Sequence, residues 1–258
     1  MKKFIALAMA LVMSLALVAC GAPAEKKTVY AVEAGSAGEE VAIANGFEIV
    51  SVDAQATALM EVQSGNADAA IIDLLMAGAM VGEGTSYPEI KVTDQKLNSE
   101  QYGIGCRKGS DLASFINSVL AETYADGTMM EIAKTYGVQE AIIEQPAAEY
   151  VAAAADSDVE YIKAKGKLIV GITEFAPMDY LDANNEWIGF DADMSRIVAE
   201  ELGVEVEFVV IDWNNKVFEL DGKSIDVVWN GMTLTDAVKE AMECTNAYCE
   251  NAQVVVSK

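Results

Sequence analysis

The stretch EIVSVDAQATALMEVQSGNADAAIID, residues 48–73, has a parallel in VEFVVIDWNNKVFELDGKSIDVVWNG, residues 206–231. Each copy predicts a strand, a loop, a short helix, a glycine turn and a second strand. The second strand ends in a polar side chain, which is Asp73 in one copy and Asn230 in the other. In open α/β sheets, ligands lie just beyond the carboxyl ends of strands. Two such copies that face each other would form a ligand-binding cleft, whereas two generic βαβ units would place nothing special at these ends.

The rest of the body alternates short β-branched runs with helical patterns, which predicts an α/β fold with largely parallel pairing. Asp53 is expected to cap one short helix. Phe190 to Leu202 forms another, with apolar residues at helical spacing and Gly203 as its stop signal. The predicted strands are 29–33, 48–52, 69–72, 102–107, 168–173, 205–211, 225–229 and 253–256.

The first twenty residues are typical of an export signal. Lys2 and Lys3 precede an uncharged apolar run from Phe4 to Val18, which is too short for a comfortable membrane span. The following Ala19 and Cys20 resemble a lipobox, in which Cys20 would be acylated. Residues 1–20 are therefore predicted to be a lipoprotein signal peptide, and the lipid would anchor the protein at the extracytoplasmic face of the cell membrane. An ordinary export signal with an incidental cysteine is the alternative.

The composition excludes several function classes. A net charge of −24 argues against nucleic acid or anionic lipid as a partner, because phosphate binding needs basic patches. The chain has no histidine, which removes histidine-based catalysis and histidine-rich metal sites. The cysteines lack metal-ligand spacing, so we expect no metal and no cofactor. Residues 145–160 are rich in alanine and acidic, and they form the expected linker.

Several strings resemble one protein family. LIVGITEFAPMDYLDANNEWIGFDADMSRIVAEELGVEVEFVVIDW (residues 168–213) and DVVWNGMTLT (226–235) are similar to the opening half of the family 3 solute-binding proteins of polar amino acid ABC transporters. VYAVEAGSAGEEVAIA (29–44), ADAAIID (67–73), YGIGCRKGSDL (102–112) and ADGTMMEIAKTYG (125–137) resemble the closing half of that family.

This resemblance implies a type II periplasmic binding protein fold, in which two α/β lobes surround a hinge and a ligand cleft. Because the halves occur in inverted order, it also implies a circular permutation. Lobe 2 would comprise residues 25–102 and lobe 1 residues 103–258. One crossing between the lobes would remain near Tyr102 to Arg107, and the other would be cut after Val256. A gene fragment or fusion remnant is the alternative. The same order would put Cys106 and Cys249 on neighbouring crossing segments, where a disulfide is conceivable.

The ligand contacts of the family carry over residue by residue. The resemblance gives Trp213 the role of stacking on the ligand side chain and Phe175 that of closing the opposite wall. Asp73 corresponds to the carboxylate that pairs with the α-ammonium group. Gly231 and Thr233 match a turn whose backbone meets the ligand, and Gly35 and Ser36 match a loop at a helix N-terminus that donates amides to the carboxylate. The predicted ligand-binding residues are Glu33, Ser36, Asp73, Phe175, Trp213, Trp229, Asn230, Gly231 and Thr233.

One position departs from the family pattern. Val238 stands where the family usually has an arginine that grips the α-carboxylate, and valine offers no charge-assisted hydrogen bond. Trp229 and Asn230 also replace small residues. Either the ligand lacks a free α-carboxylate, or backbone amides at Gly35 to Gly38 and Thr233 hold it alone. Glu33 together with Asp73 leaves a cationic or amine-bearing ligand open.

Three function classes follow from these patterns. The first is a lipid-anchored, monomeric receptor that binds an amino acid or related amine and delivers it to the transmembrane permease subunits of an ABC importer. The second is a sensory or degenerate binding lipoprotein that is not coupled to transport. The third is an enzyme on the same fold, such as the cyclohexadienyl dehydratases, but catalytic residues are not evident. We expect the receptor and no enzymatic activity.

Overall fold

The computed structural model describes residues 27–258, which form two α/β lobes, each built on its own sheet. The predicted signal peptide and Cys20 lie outside the described residues. We call the five-stranded sheet and its helices lobe 2, and the six-stranded sheet and its helices lobe 1. The strands are β1 (Val29–Glu33), β2 (Glu48–Val52), β3 (Ala69–Asp73), β4 (Lys91–Lys96), β5 (Glu100–Cys106), β6 (Lys167–Ile172), β7 (Tyr180–Leu181), β8 (Trp187–Ile188), β9 (Glu205–Val210), β10 (Val227–Thr233), β11 (Glu243–Cys244), β12 (Cys249–Asn251) and β13 (Gln253–Ser257).

The helices cover both sheets. The predicted helix over Phe190 to Leu202 is observed with those bounds, and Gly203 ends it in the left-handed region with φ 72°. The cap predicted at Asp53 is wrong by one residue, because Ala54 is the N-cap and Asp53 instead accepts a hydrogen bond from Thr57. The helices are α1 (Ala37–Ala44), α2 (Gln55–Ser64), α3 (Leu74–Met80), α4 (Leu112–Asp126), α5 (Thr128–Thr135), α6 (Asp158–Lys165), α7 (Phe190–Leu202), α8 (Lys216–Asp221) and α9 (Asp236–Ala241).

The lobe 2 sheet has the strand order β2-β1-β3-β13-β4. Strands β1, β2 and β3 run parallel, whereas β13 is antiparallel to both of its neighbours, β3 and β4. The pairing of Val254 with Ile72 and of Val256 with Ala70 places the valines of β13 in the middle of the sheet. All three valines, 254 to 256, are buried, as expected for a strand covered on both faces.

The lobe 1 sheet has the order β11-β5-β10-β6-β9, and β12 also pairs with β5. Strands β9, β6 and β10 are parallel, while β5 runs antiparallel to β10. The buried aromatic side chains of Tyr102, Phe190, Trp229 and Tyr248 fill the core beside this sheet, where the rings of Phe190 and Tyr248 stack at 6.0 Å. This packing fixes the carboxyl ends of β6 and β10 at the edge that faces lobe 2.

The chain passes between the two sheets twice. Residues 97–99 connect β4 to β5, and Ala252 alone separates β12 from β13. The expectation of a cut crossing after Val256 is therefore wrong, because both crossings are intact. The boundary expected at residue 103 is corrected as well: β5 begins at Glu100, and the last strand belongs to the lobe 2 sheet. A short run of valines fits the interior of either sheet, so the sequence pattern alone could not assign it.

A buried ion-pair cluster ties α6 to the lobe 1 sheet. Arg107 donates to Asp158 at 3.0 Å and contacts Asp226 at 3.4 Å, and Lys165 also pairs with Asp226 at 2.5 Å. Residues 144–157 have no regular secondary structure, and the predicted linker over 145–160 therefore runs into the start of α6. Because the charges are buried, removal of one partner would leave the others uncompensated.

The three described cysteines are unpaired in this structure. Cys249 pairs with Tyr102 along β5, four residues before Cys106. Four residues along a strand span about 13 Å, well beyond the Cα separation that a disulfide permits. The conceivable disulfide between Cys106 and Cys249 is therefore wrong: the two segments do neighbour each other, but the register separates the thiols.

Candidate functional site

A cavity of about 30 Å³ lies between the two lobes at the carboxyl ends of β1, β3 and β10. The two lobes are in contact at this cavity: Lys216 Nζ of lobe 1 donates to the carbonyl oxygen of Gly35 in lobe 2 at 2.8 Å. A water needs roughly 10 to 15 Å³ of such space, so the cavity is narrow and a larger ligand requires the lobes to separate. Eight of the residues singled out from the sequence line it: Glu33, Gly35, Ser36, Asp73, Trp213, Asn230, Gly231 and Thr233.

Two predicted contacts do not line this cavity. Trp229 neighbours Asn230 on β10, and alternate residues of a strand point to opposite faces, so its indole lies in the core of lobe 1. Phe175 is also buried, with its ring behind Gly231 and edge-on to Tyr102 at 6.2 Å. Phe175 thus supports the cavity wall from behind, whereas Trp229 belongs to the core of lobe 1.

Gly231 forms the part of that wall where β10 bends. Its φ is +56°, and a Cβ atom there would lie 2.3 Å from Cε1 of Phe175. Its N–H donates to Oδ2 of the buried Asp191 at 2.6 Å, and the hydroxyl of Tyr248 donates to the same carboxylate at 2.8 Å. Burial raises the pKa of Asp191 to about 7. The turn is thus held by a carboxylate on α7 and by the ring of Phe175, and only glycine fits it.

The polar side chain of Asn230 is occupied by its own lobe. It accepts a hydrogen bond from the backbone N–H of Thr173 at 3.0 Å and donates to the hydroxyl of Thr173 at 2.7 Å. These bonds join the carboxyl ends of β6 and β10. Asn230 therefore positions the cavity edge and keeps one amide proton for other use.

The N-terminus of α1 forms the lobe 2 side of the cavity. Ser36 is its N-cap and accepts a hydrogen bond from the N–H of Glu39 at 3.1 Å. The N–H of Gly35, expected to serve the ligand, instead donates to the carboxylate of Glu39 at 2.8 Å. The amide of Ser36 donates to the carbonyl oxygen of Glu33 at 3.2 Å, whereas the amide of Ala37, which also lines the cavity, has no hydrogen-bond partner among the described residues. It is therefore better placed than Gly35 to meet an anion.

Asp73 is buried and fully engaged by the protein itself. Its Oδ1 accepts from the Tyr102 hydroxyl at 2.8 Å and from the side-chain amides of Asn251 and Gln253, and its Oδ2 accepts from Gln55. Burial, followed by repulsion from neighbouring Glu100, raises the pKa of Asp73 well above its ordinary value. Since Asn251, Gln253 and Glu100 flank the two interlobe crossings, this network belongs to the hinge.

Lys216 is a cavity residue that the sequence analysis missed. It is the first residue of α8, its side chain is buried, and its ammonium lies 4.9 Å from the centroid of the Trp213 ring. Burial lowers its pKa, while Glu33 and other acidic groups oppose that shift. A lysine at the start of a helix gives little sequence signal for burial. The available clue is its spacing of three residues from Trp213.

Among the described residues, Glu33 is the cavity carboxyl that has a free buried oxygen. It ends β1, is 3% exposed, and its Oε1 has no hydrogen-bond partner among the described residues. Burial raises the pKa of Glu33 to about 8, and Lys216 is the main group that opposes the shift. A buried acceptor without a partner is costly, so this oxygen is suited to a donor that arrives with a ligand.

Further cavity residues did not emerge from the sequence as contacts: Glu40, Gln55, Met232 and Thr235. Val238 lines the cavity as well, where the resemblance led us to expect an arginine. Among residues 27–258, no group of three or more acidic or cysteine side chains could hold a metal ion. The part of the chain that the structure describes also has no helix long and apolar enough to cross a membrane. Polar groups from both lobes thus line a single cavity.

The two-lobed architecture is that of a type II periplasmic binding protein fold. Residues 168–258 match the model of the bacterial extracellular solute-binding proteins, family 3, which confirms the resemblance for that part of the chain. The match extends from β6 to the end of β13 and includes Trp213, Asn230, Gly231 and Thr233.

The proteins to which this chain is similar include binding proteins for amino acids. It is 32% identical over 95 residues to the arginine-binding extracellular protein ArtP of Bacillus subtilis, which covers 36% of this chain and 37% of the relative. It is 34% identical over 100 residues to the L-cystine-binding protein TcyA of the same organism, covering 38% and 37%. The chain thus spans little more than a third of the length of these relatives. The arginine-bound form of truncated ArgBP from T. maritima is 36% identical, with a TM-score of 0.31 over 31% of this chain and 39% of that one.

Proposed function

We propose that this protein is an extracytoplasmic receptor that binds a small amino acid-like solute between its lobes and delivers it to an ABC importer. The observation that carries the proposal is the interlobe cavity, to which both lobes contribute polar groups at the ends of their strands. The family match over residues 168–258 and the amino acid-binding relatives support it. The proposed role is binding and not catalysis.

We also propose that Cys20 carries a lipid anchor and that the receptor works as a monomer. The proposed anchor rests on the sequence around Cys20 and would keep the receptor on the outer face of the cell membrane, close to the transmembrane subunits of its importer. A lipid-anchored receptor remains near its permease even at low protein abundance.

The order of the lobes is proposed to be a circular permutation. Ala31 on β1 and Val256 on β13 both pair with Ala70 of β3, one from each side. Two strand spacings separate them, which is about 10 Å. Because β13 runs antiparallel to β3, its last residues lie at the edge where β1 begins. A linker of a few residues between Lys258 and Lys27 would therefore restore an uninterrupted connection.

Ligand binding is tested by thermal unfolding of the full chain carrying Cys20→Ser, with L-arginine, L-histidine and L-cystine as probes. A ligand that binds only the folded state stabilises it by about 2.7 kcal/mol at a hundredfold excess over Kd, a shift in Tm of roughly 5 to 10 °C. Ala37→Trp would fill the cavity and abolish the shift. Ala44→Trp, at the exposed end of the same helix, is the matched control and should retain it. Equal shifts in both variants would place the ligand outside this cavity.

The permutation is tested with a rearranged chain that starts at Ser157, joins Lys258 to Lys27 through a short linker, and ends at Glu144. We expect cooperative unfolding and a Kd within about threefold of that of the original order, because each interface between the lobes is kept. A rearranged chain that unfolds without cooperativity would contradict the proposal.

A further inference from the structure

Two charged side chains approach the cavity from opposite lobes. Glu33 ends β1 in lobe 2, and Lys216 begins α8 in lobe 1. Their relative exposures are 3% and 8%, so both charges lie out of bulk water. Lys216 makes no ion pair with any carboxylate among residues 27–258. The cavity thus holds a buried carboxyl group and a buried ammonium group that form no direct ion pair.

The ammonium of Lys216 keeps one proton for a ligand. It donates to the carbonyl oxygen of Gly35 at 2.8 Å and to that of Trp213 at 3.2 Å. An ammonium group has three protons, so one donor remains. Since the two carbonyls and the Trp213 ring hold the group against the wall of the cavity, the remaining proton is offered without the entropy cost of ordering a free lysine.

Glu33 has a carboxyl oxygen without a hydrogen-bond partner among the described residues, whereas both oxygens of Asp73 have partners. Four side chains donate to Asp73, as described above, whereas Oε1 of Glu33 is buried and has no partner among the described residues. A cationic ligand group that bound Asp73 would have to displace donors that also hold the hinge. At Glu33 it would satisfy an acceptor that is otherwise unpaired.

We propose that Glu33 and Lys216 select a zwitterionic ligand, Glu33 by receiving its cationic group and Lys216 by donating to its carboxylate. The inference rests on the proposed function and specifies the charges of the solute. It explains how the site can hold a carboxylate although Val238 occupies the position where an arginine was expected. The charge comes instead from α8, in the same lobe. The unpaired amide of Ala37, from the opposite lobe, is a second donor for that carboxylate.

A different role for Lys216 would be to hold the lobes together through Gly35 and nothing more. The two roles differ in their dependence on the ligand. A latch contributes equally to the binding of every solute that needs a closed cleft, whereas a carboxylate partner matters only for solutes that have a carboxylate. Lys216→Gln separates them further, because glutamine can still donate hydrogen bonds but carries no charge.

The experiment measures Kd by calorimetry for the full chain with Cys20→Ser. The probes are L-arginine, L-histidine and L-cystine with their decarboxylated forms agmatine, histamine and cystamine. Lys216→Gln and Lys216→Met should weaken the binding of each amino acid by about 10- to 100-fold and change the affinity for its decarboxylated amine less than threefold. Glu33→Gln should weaken both members of a pair by a similar factor. Lys134→Met and Glu131→Gln, at exposed positions on α5, change the net charge equally and should leave every Kd within twofold.

The outcomes separate the two proposals. Equal weakening of amino acid and amine by both Lys216 variants would establish a latch and overturn the assignment of the carboxylate. Unchanged binding in Glu33→Gln would overturn the assignment of the cationic group. Both results leave the receptor function intact. If the unsubstituted protein binds no member of the panel, the proposed function is overturned and the charge assignment with it.

Discussion

The affinity of the receptor for a cationic ligand should rise steeply with pH, because the partner of that cation is a carboxylate with a raised pKa. Burial raises the pKa of Glu33 to about 8 in the folded protein. The cation binds the ionised form, so the apparent affinity is proportional to the ionised fraction. That fraction is about 1% at pH 6 and about one half at pH 8. The expected gain in affinity is about 50-fold, or about 2.3 kcal/mol.

Other ionisable groups around Glu33 need separate consideration. Lys216 opposes the shift in the pKa of Glu33, whereas Asp53 and Asp212 contribute to it. Asp191, behind Gly231, has a pKa of about 7 and titrates in the same range. No histidine adds to the titration, because the chain has none. The comparison with Glu33→Gln is therefore what identifies the responsible group.

The assay is calorimetric titration at pH 6, 7 and 8 with agmatine, which stays cationic over this range. In the original protein Kd should fall about 50-fold from pH 6 to pH 8, and binding below pH 8 should release close to one proton. The released proton is measured by repeating the titration in buffers of different ionisation enthalpy. In Glu33→Gln both effects should disappear. A Kd that does not change with pH, or the same slope in Glu33→Gln, would refute the argument.

The same raised pKa has a consequence for stability without ligand. A carboxyl whose folded pKa lies above its unfolded value of 4.5 stabilises the fold below that value, and the contribution is lost as the pH rises towards 8. The full loss corresponds to about 5 kcal/mol at 1.4 kcal/mol per pKa unit, as an order of magnitude. In urea unfolding we therefore expect Glu33→Gln to be more stable than the original protein at pH 8. A Glu33→Gln variant that is less stable at pH 8 would contradict the assignment.

Three further predictions concern the fold. Gly231→Ala should lower the free energy of unfolding by about 1 to 3 kcal/mol in urea, because of its positive φ and the contact with the Phe175 ring, and should weaken ligand binding. Gly203→Ala, which shares the positive φ but has no atom within 4 Å of a Cβ, should cost only about 1 kcal/mol and spare binding. Arg107→Met should destabilise the fold by about 3 to 5 kcal/mol in the same assay, because the buried carboxylates of Asp158 and Asp226 lose their guanidinium partner. Titration of the denatured, unreduced protein should find Cys106 and Cys249 as free thiols; a missing pair would contradict the register of β5 and β12.

Most of the fold could be predicted from patterns that depend on local physics. The strands over Val29–Glu33 and Glu48–Val52 are β-branched runs bounded by turns, and their observed bounds match the prediction. Strand β4, with the sequence KVTDQK, was missed because an edge strand that is mostly exposed carries no apolar alternation. The assignment of β13 to the lobe 1 half was wrong, since only its partners decide which sheet a valine run enters.

The candidate site, like the fold, could be predicted only in part. Residues at strand ends, such as Asp73 and Gly231, could be predicted because the topology of α/β sheets brings those ends together. What the sequence could not supply was the state of each polar group. Asp73 accepts hydrogen bonds from side chains of the protein itself, including Tyr102, and the N–H of Gly35 donates to Glu39. Little in the sequence distinguishes Lys216 from the other lysines; only the fold places it beside the cavity.

The position of β13 has a consequence for how the protein is made. Lobe 2 begins with Val29, but the strand between β3 and β4 in its sheet is supplied by Gln253–Ser257, about 180 residues further along the chain. During synthesis, lobe 2 emerges first with a gap between β3 and β4, and it cannot complete its sheet until lobe 1 has been made. Contacts over such a sequence separation form slowly, and unpaired strand edges attract other chains. The half that leaves the ribosome first is thus the last to become native, and a chaperone that shields strand edges would be of most use to it.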